Sequence, residues 1–505
     1  MEFLLDIIKK ISVAKLIALS FIFAILGGSF ILYWIEGGNL SYVNSLYIAA
    51  SAICVTGLSP VNVSEFTFLG QVFLMLMIQL GGLGVLTFTV LVGRLVISGL
   101  SRNSEIGEVM LQAIDHDVKK KDEIHTVYEI LKSILKISLF LEAIGAIILY
   151  STLPENIPGN VNRYFLSVFT SVSAFNNAGF SLLDDMAFII KDLGSIYTIV
   201  VLVVFGGIGF PVIIFFEKIF LEILKEVSGK FEVWGETHLM LKAIKGQDPS
   251  AVYLFFTKLS SLTENKIESY NNNLRGASNK TQTNILIAGS LVLIFAGALG
   301  VYYTECNNPK TLKNLEFSEK IANSIFASVC ARTAGFNTFN FAYITDSTLV
   351  LICSLMFIGG GPQGTAGGIK ITTFVILMLY LKNVISSKKV VEVFGQPISK
   401  RAVAMSIRTY FLATTAIAIL VFILAIMHNE NHRIHLIFFE VISAFGTVGY
   451  SMGLTPLLGD AEKIVYCIIM FVGRIGIFTS LIALTGMPGT LGFGEEDDGI
   501  KIQVG

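Results

Sequence analysis

Thr447-Val448-Gly449-Tyr450 closes a short apolar segment, about 434 to 450, and three other segments end in nearly the same way. Val55-Thr56-Gly57-Leu58 closes 44 to 58, Asn177-Ala178-Gly179-Phe180 closes 164 to 180, and Thr333-Ala334-Gly335-Phe336 closes 321 to 336. Each segment is too short, or too broken by Gly and Ser, to cross a bilayer, which takes about 20 apolar residues as a helix. They read as re-entrant segments that enter and leave on one side. A hydroxyl recurs six positions before the glycine as Ser51, Ser173 and Ser443, with Ser328 seven before it in the third copy. A second glycine series follows. Gly81, Gly82 and Gly84 stand after Gly57 as Gly473, Arg474 and Gly476 stand after Gly449, with Gly359, Gly360 and Gly361 in the third copy and Gly206, Gly207 and Gly209 slightly later in the second. An internal repeat decides the architecture before anything else. Four units around an axis make a pore.

Eight longer apolar runs flank these segments: 14 to 35, 68 to 97, 131 to 150, 194 to 216, 284 to 303, 347 to 381, 409 to 427 and 463 to 486. Of 505 residues, 53% are hydrophobic and 14% charged, and mean hydropathy is +0.72, where soluble domains carry about 25% charge. The continuity of the runs excludes a membrane β-barrel. The expected fold is an all-α polytopic membrane protein of eight transmembrane and four pore helices, with four span–re-entrant pore loop–span repeats around a pseudo-fourfold pore. Its repeats cover 14–97, 131–216, 284–381 and 409–486, joined by loops 98–130, 217–283 and 382–408, with tails 1–13 and 487–505. The first run follows Lys9, Lys10 and Lys15 without a small-residue cleavage site and reads as a retained span. Most of the 36 Lys and Arg residues fall in the tails and joining loops, while the opposite face receives Arg163, Lys191, Lys310, Lys313, Lys320, Arg433 and Lys463. The positive-inside tendency makes the termini cytoplasmic and opens the four loops outward. Cys54, Cys306, Cys330, Cys353 and Cys467 lie far apart and imply neither a disulfide framework nor a metal site. A formal net charge of −1 predicts no acidic or basic partner.

To pass a filter, a cation must exchange its hydration shell for oxygen ligands, and rings of backbone carbonyls do this in potassium-type filters. Glycine permits the positive φ that lets consecutive carbonyls point the same way. The short helices aim the negative ends of their dipoles at the axis. The reading makes Thr56, Gly57, Asn177, Ala178, Gly179, Thr333, Ala334, Gly335, Thr447, Val448 and Gly449 the filter, with ions on the carbonyls of Thr56, Asn177, Thr333 and Thr447. The plainer alternative is that these glycines only allow close helix packing. Ser451 stands where a second filter glycine would be, so the filter is short, with one glycine per repeat.

The stretch from Ser347 to Leu381 is too long for a straight span and carries its helix breakers in the middle. Backbone without helical hydrogen bonds survives at that depth only beside protein or a water-filled cavity. The expectation is an intramembrane gate at about 358–370, formed by Gly359, Gly360, Gly361, Gln363, Gly364, Thr365, Ala366, Gly367, Gly368 and Lys370, against an ordinary kink as the alternative. A phosphate loop is rejected because Gly-Lys-Ser/Thr is absent and no strand precedes it. Arg474 falls in register with Gly82 and Gly360 on the pore side, where it either anchors the gate through its carbonyls or pairs with Glu142. Lys370 is expected to snorkel and Arg332 to brace the filter from behind. The insert between Glu217 and Lys280 reads as a solvated loop or a docking surface.

The four loop exits, the segment Gly359-Gly360-Gly361-Pro362-Gln363-Gly364-Thr365-Ala366-Gly367-Gly368-Ile369-Lys370 and Gly473-Arg474-Ile475-Gly476 resemble the Trk/Ktr/HKT superfamily of potassium transporters, most closely its bacterial Ktr membrane subunit, over nearly the whole chain. The resemblance implies a potassium uptake pore in a bacterial inner membrane, gated by that segment beneath the filter, with a pore-lining positive charge at Arg474. Potassium is then the substrate, sodium a stimulating ion, and no cofactor resides in this chain. The resemblance also implies a homodimer contacted by the ending Ile500-Lys501-Ile502-Gln503-Val504-Gly505, and a peripheral cytoplasmic nucleotide-binding subunit. Tyr450 departs from the usual leucine, and residues 221–278 exceed the usual connection. Competing readings are a secondary transporter of another small solute, a sodium-selective transporter of the same architecture and a membrane enzyme. Parallel rather than inverted repeats count against the carrier. Histidines expected only in loops count against the enzyme.

Overall fold

The computed structural model describes residues 13–84, 121–155, 157–158, 161–183, 186–209, 212, 277–362, 364–387, 390–428, 434–485 and 502–504. The end of the first repeat, most of the two longer joining loops, Gln363 and most of the C-terminal tail lie outside them.

Each repeat begins with a long helix: α1 (Val13–Ile35), α4 (Lys121–Thr152), α7 (Ala277–Glu305) and α11 (Lys400–Met427). α4, α7 and α11 start several residues before the apolar runs do. Lipid thickness sets the length of the run, whereas backbone hydrogen bonding carries the helix on into polar sequence. His125 therefore lies in α4 rather than in a loop. Phe23, Trp34, Leu291, Phe295, Phe422 and Ile426 project outward from these helices. Such an apolar surface would be a liability in water and is ordinary in lipid.

A short helix follows each span: α2 (Tyr42–Ile53), α5 (Arg163–Phe175), α8 (Phe317–Cys330) and α12 (Ile434–Gly446). Ser41 starts α2 by accepting from Asn44 N at 3.2 Å, and Asn162 starts α5 by accepting from Tyr164 N at 2.9 Å. These N-caps pair amides that an incoming helix leaves open. The last two turns of the short helices are buried apart from the half-buried Ile325, so all four form the inner layer. His435, also expected in a loop, lies in α12.

The returning helices are α3 (Phe68–Leu83), α6 (Leu193–Gly207), α9 (Asp346–Phe357) and α13 (Asp460–Ile475). Within the described residues, none continues unbroken past its glycine cluster. α3 is capped by Gly84 at φ 83°, while α13 meets α14 (Ile477–Thr485) at 103° across Gly476, whose φ is 94°. The stretch 463 to 486 is thus not one straight span, because a left-handed residue cannot continue the helix. α9 and α10 (Ile371–Ile385) are separated by non-helical backbone over 358–362 and 364–370.

On the α10 side, β1 (Glu392–Val393) and β2 (Gln396–Pro397) form an antiparallel hairpin around Phe394 and Gly395. Val391, Val393, Ile398 and Ile285 pack there with Ile502 near the C-terminus. Gln503 is fastened by its carbonyl to Thr372 Oγ1 at 2.8 Å and by its amide N–H to Gln282 Oε1 at 3.3 Å.

Candidate functional site

Beyond each short helix the backbone repeats one conformation. Val55 and Gly57, Asn177 and Gly179, Thr333 and Gly335, and Thr447 and Gly449 all have positive φ, between 50° and 97°. Non-glycine residues in this region cost about 1 kcal/mol or more each and persist only where the surroundings hold them. A β-branched Val55 at φ 57° is the clearest case.

The four strands close on one another in a ring. A Cβ on Gly57 would collide with the Ala178 carbonyl oxygen, one on Gly179 with that of Ala334, one on Gly335 with that of Val448, and one on Gly449 with that of Thr56. Each repeat therefore touches the next in cyclic order, and each contact requires glycine. This also corrects a register. The residue equivalent to Asn177, Thr333 and Thr447 is Val55, so the Thr56 carbonyl shares its layer with those of Ala178, Ala334 and Val448.

The recurring serines hold the strands to the short helices. Ser51 Oγ accepts from Gly57 N at 3.0 Å and Ser443 Oγ from Gly449 N at 3.2 Å. Ser173 Oγ donates to the Phe180 carbonyl at 2.8 Å. Ser328, out of step by one residue, turns away to the Ile294 carbonyl at 2.9 Å. Leu58, Phe180, Phe336 and Tyr450, which follow the four glycines, are buried. In front of it a cavity of about 410 Å³ is lined by the four glycines and by Ser59, Asn337, Ser451 and other exit residues.

Residues 364–370 lie directly against the other end of the ring, through Thr365 and Gly367. A Cβ on Gly367 would collide with the Thr447 side chain. The Asn177 amide is satisfied when Nδ2 donates to Thr365 Oγ1 at 3.3 Å and to the Val203 carbonyl at 3.2 Å while Oδ1 accepts from Thr333 Oγ1 at 3.3 Å. The loop is fastened by main-chain bonds to helix ends: Gly361 N to the Gly207 carbonyl at 2.9 Å, Thr365 N to Gly206 at 3.3 Å and Gly368 N to Gly473 at 3.2 Å. The last carbonyls of a helix have no intrahelical partner. Here one broken span supplies donors to two others. Gly359 N donates to the Ile369 carbonyl at 2.8 Å and Ile371 N to Gly360 at 3.0 Å, which closes the loop on itself.

Arg474 ties the assembly together, donating to the Thr365 carbonyl and, at 2.6 Å, to the Gly81 carbonyl of α3. Of the two expected partners, the loop carbonyl is the one it contacts. Glu142 instead accepts from Gln79 Nε2 at 3.0 Å and Asn176 Nδ2 at 2.9 Å. Lys370 does not snorkel; its ammonium turns back to the Ala366 carbonyl at 2.6 Å. Arg332 reaches the Ser290 carbonyl and hydroxyl in α7, both at 3.2 Å, behind the third strand. In the second glycine series, a Cβ on Gly81, Gly206 or Gly473 would strike the carbonyl of Ile53, Phe175 or Phe445, at the ends of α2, α5 and α12. For these glycines, close packing is the role.

Sequence reading missed several polar residues. Glu36 accepts from the Thr67 hydroxyl at 2.9 Å, Glu305 from the Thr345 hydroxyl at 2.9 Å, and His428 Nδ1 meets Glu462 Oε1 at 2.6 Å. Each joins the end of a first span to the start of its returning helix. A polar residue closing an apolar run was the available signal. Tyr450 OH donates to the Phe336 carbonyl at 3.0 Å, and Glu440 is buried in α12.

The family model described as "Cation transport protein" (TrkH) matches residues 14–489. Ktr system potassium uptake protein B of Bacillus subtilis is 32% identical over 446 residues, covering 87% of this chain and 85% of the relative. Potassium/sodium uptake protein NtpJ of Enterococcus hirae is 29% identical, covering 94% and 93%. Among solved structures, the potassium transporter TrkH from Vibrio parahaemolyticus superposes with a TM-score of 0.62 at 17% identity, over 93% of this chain and 83% of its own. That likeness concerns the fold.

Proposed function

The chain belongs to the TrkH family of cation transport proteins, and from that premise we propose that it is the pore-forming membrane subunit of a potassium uptake system. It moves an ion and is not of an enzyme class. Potassium passes through the ring of Thr56, Ala178, Ala334 and Val448 carbonyls, with Gly57, Gly179, Gly335 and Gly449 providing the close approach. The observation that carries this reading is the cyclic contact of each filter glycine with the carbonyl of the next repeat. Four carbonyls converging on one axis replace water around a monovalent cation.

The 358–370 segment acts as the gate. Its contacts with Thr447 and Asn177 and the hydrogen bond from Arg474 to the Thr365 carbonyl support that role, with Arg474 as the latch. Opening requires the latch and the helix-end bonds to break together, so an outside ligand must supply the difference in free energy. A peripheral nucleotide-binding subunit on the cytoplasmic side is the proposed source, acting on a homodimer of this chain in a bacterial plasma membrane. Sodium is the proposed stimulating ion, and the chain itself holds no cofactor.

Expression in a bacterium lacking its own potassium uptake tests the reading. Growth at low potassium and rubidium uptake resistant to excess sodium are expected; sodium uptake without rubidium uptake would overturn it.

A further inference from the structure

Behind the fourth filter strand lies a carboxylate outside the conduction path. Glu440 stands nine residues before Gly449 and is fully buried. Nine residues before the other filter glycines stand Ile48, Thr170 and Phe326, so this acid occurs in one repeat of four. Burying a carboxylate in a membrane protein is expensive, and an apolar side chain like those at 48 and 326 is the more stable choice by default.

The carboxylate grips the segment leaving the filter. Its Oε1 accepts from Ser451 Oγ at 2.8 Å and from Thr455 Oγ1, while Ser451 Oγ accepts from Gly453 N at 3.0 Å. Tyr47 of α2 and Tyr466 of α13, both buried, lie within its electrostatic reach. On the other side of the same strand, Tyr450 OH is bonded to the Phe336 and Ala327 carbonyls. The Tyr450-Ser451 step is thus held from two directions, one residue beyond Gly449.

Resting on the filter reading above, we propose that Glu440 is a positioning residue for ion selection. Its hydrogen bonds fix the exit of the fourth strand and thereby the Val448 carbonyl, against which Gly335 packs. The acceptor geometry carries the effect, so an amide at 440 substitutes for the acid.

The test compares rubidium and sodium flux through the full chain in proteoliposomes. Glu440→Ala and Ser451→Ala are expected to lower the rubidium to sodium ratio about tenfold, the effect of losing a charge-assisted hydrogen bond, with Glu440→Gln within about twofold of wild type. Should Glu440→Ala not reach the membrane, Ser451→Ala decides alone. Gly449→Ala serves as the filter control. A wild-type ratio in the Glu440 and Ser451 variants, with a changed ratio in Gly449→Ala, overturns the role of Glu440. An unchanged ratio in Gly449→Ala overturns the filter reading, and this proposal with it.

Discussion

At the scale of single residues, the site is built from positions where one atom decides the outcome. Tyr450 shows this most clearly. Its ring lies buried and stacked on Phe341 at 4.0 Å between centroids, while its hydroxyl crosses to the third repeat. Tyr450→Phe keeps the packing and leaves the Phe336 carbonyl unpaired. A loss of about 1 kcal/mol is expected, read as a lower melting temperature of the detergent-purified protein; an unchanged temperature would mean that the bond contributes nothing. Gly81 makes the converse case. Gly81→Val would press a branched side chain onto the Ile53 carbonyl and cost about 3 kcal/mol, measured as loss of folded protein from the membrane fraction. Much of this scale was legible in the sequence, since glycine and serine marked the filter strands by spacing alone. Sequence could not separate glycines that meet a neighbouring strand from those that meet a helix end, because both need the missing Cβ. Spacing already puts the threonine of the first copy one position later than in the others, and the positive φ of Val55 shows that the backbone conformation is keyed to the glycine rather than to the threonine.

Among the elements, the broken returning helices matter most. The interruption of Ser347 to Leu381 was readable from glycine density, and the loop it produces uses the free ends of α6 and α13 as acceptors. The bend at Gly476 was hidden, because a single glycine in an apolar run is equally compatible with a straight helix. Arg474→Ala removes two hydrogen bonds from a charged donor, each worth about 1.5 to 3 kcal/mol. Basal rubidium flux should rise about tenfold or more in proteoliposomes without any partner. Deleting 363–367 should raise it further. Unchanged flux with normal expression in both variants would remove the loop from the gating scheme. The stitches at Glu36, Glu305 and the His428–Glu462 pair were not legible, because single polar residues at the ends of apolar runs read as membrane boundary.

The whole molecule is four copies of one unit that do not remain identical. Hydropathy and the repeat made the eight-run architecture and the pseudo-fourfold axis legible. Asymmetry carries the rest: among the described residues the third repeat alone has a long non-helical stretch between the two parts of its returning segment, and only the fourth has Arg474, Glu440 and Tyr450 at their respective positions. The central claim is that the four repeats converge on one ion layer. Anomalous diffraction from crystals grown with thallium or rubidium measures it directly. A peak on the axis ringed by the Thr56, Ala178, Ala334 and Val448 carbonyls is predicted; an axis empty there, with the ion bound among side chains elsewhere in the membrane domain, would contradict it.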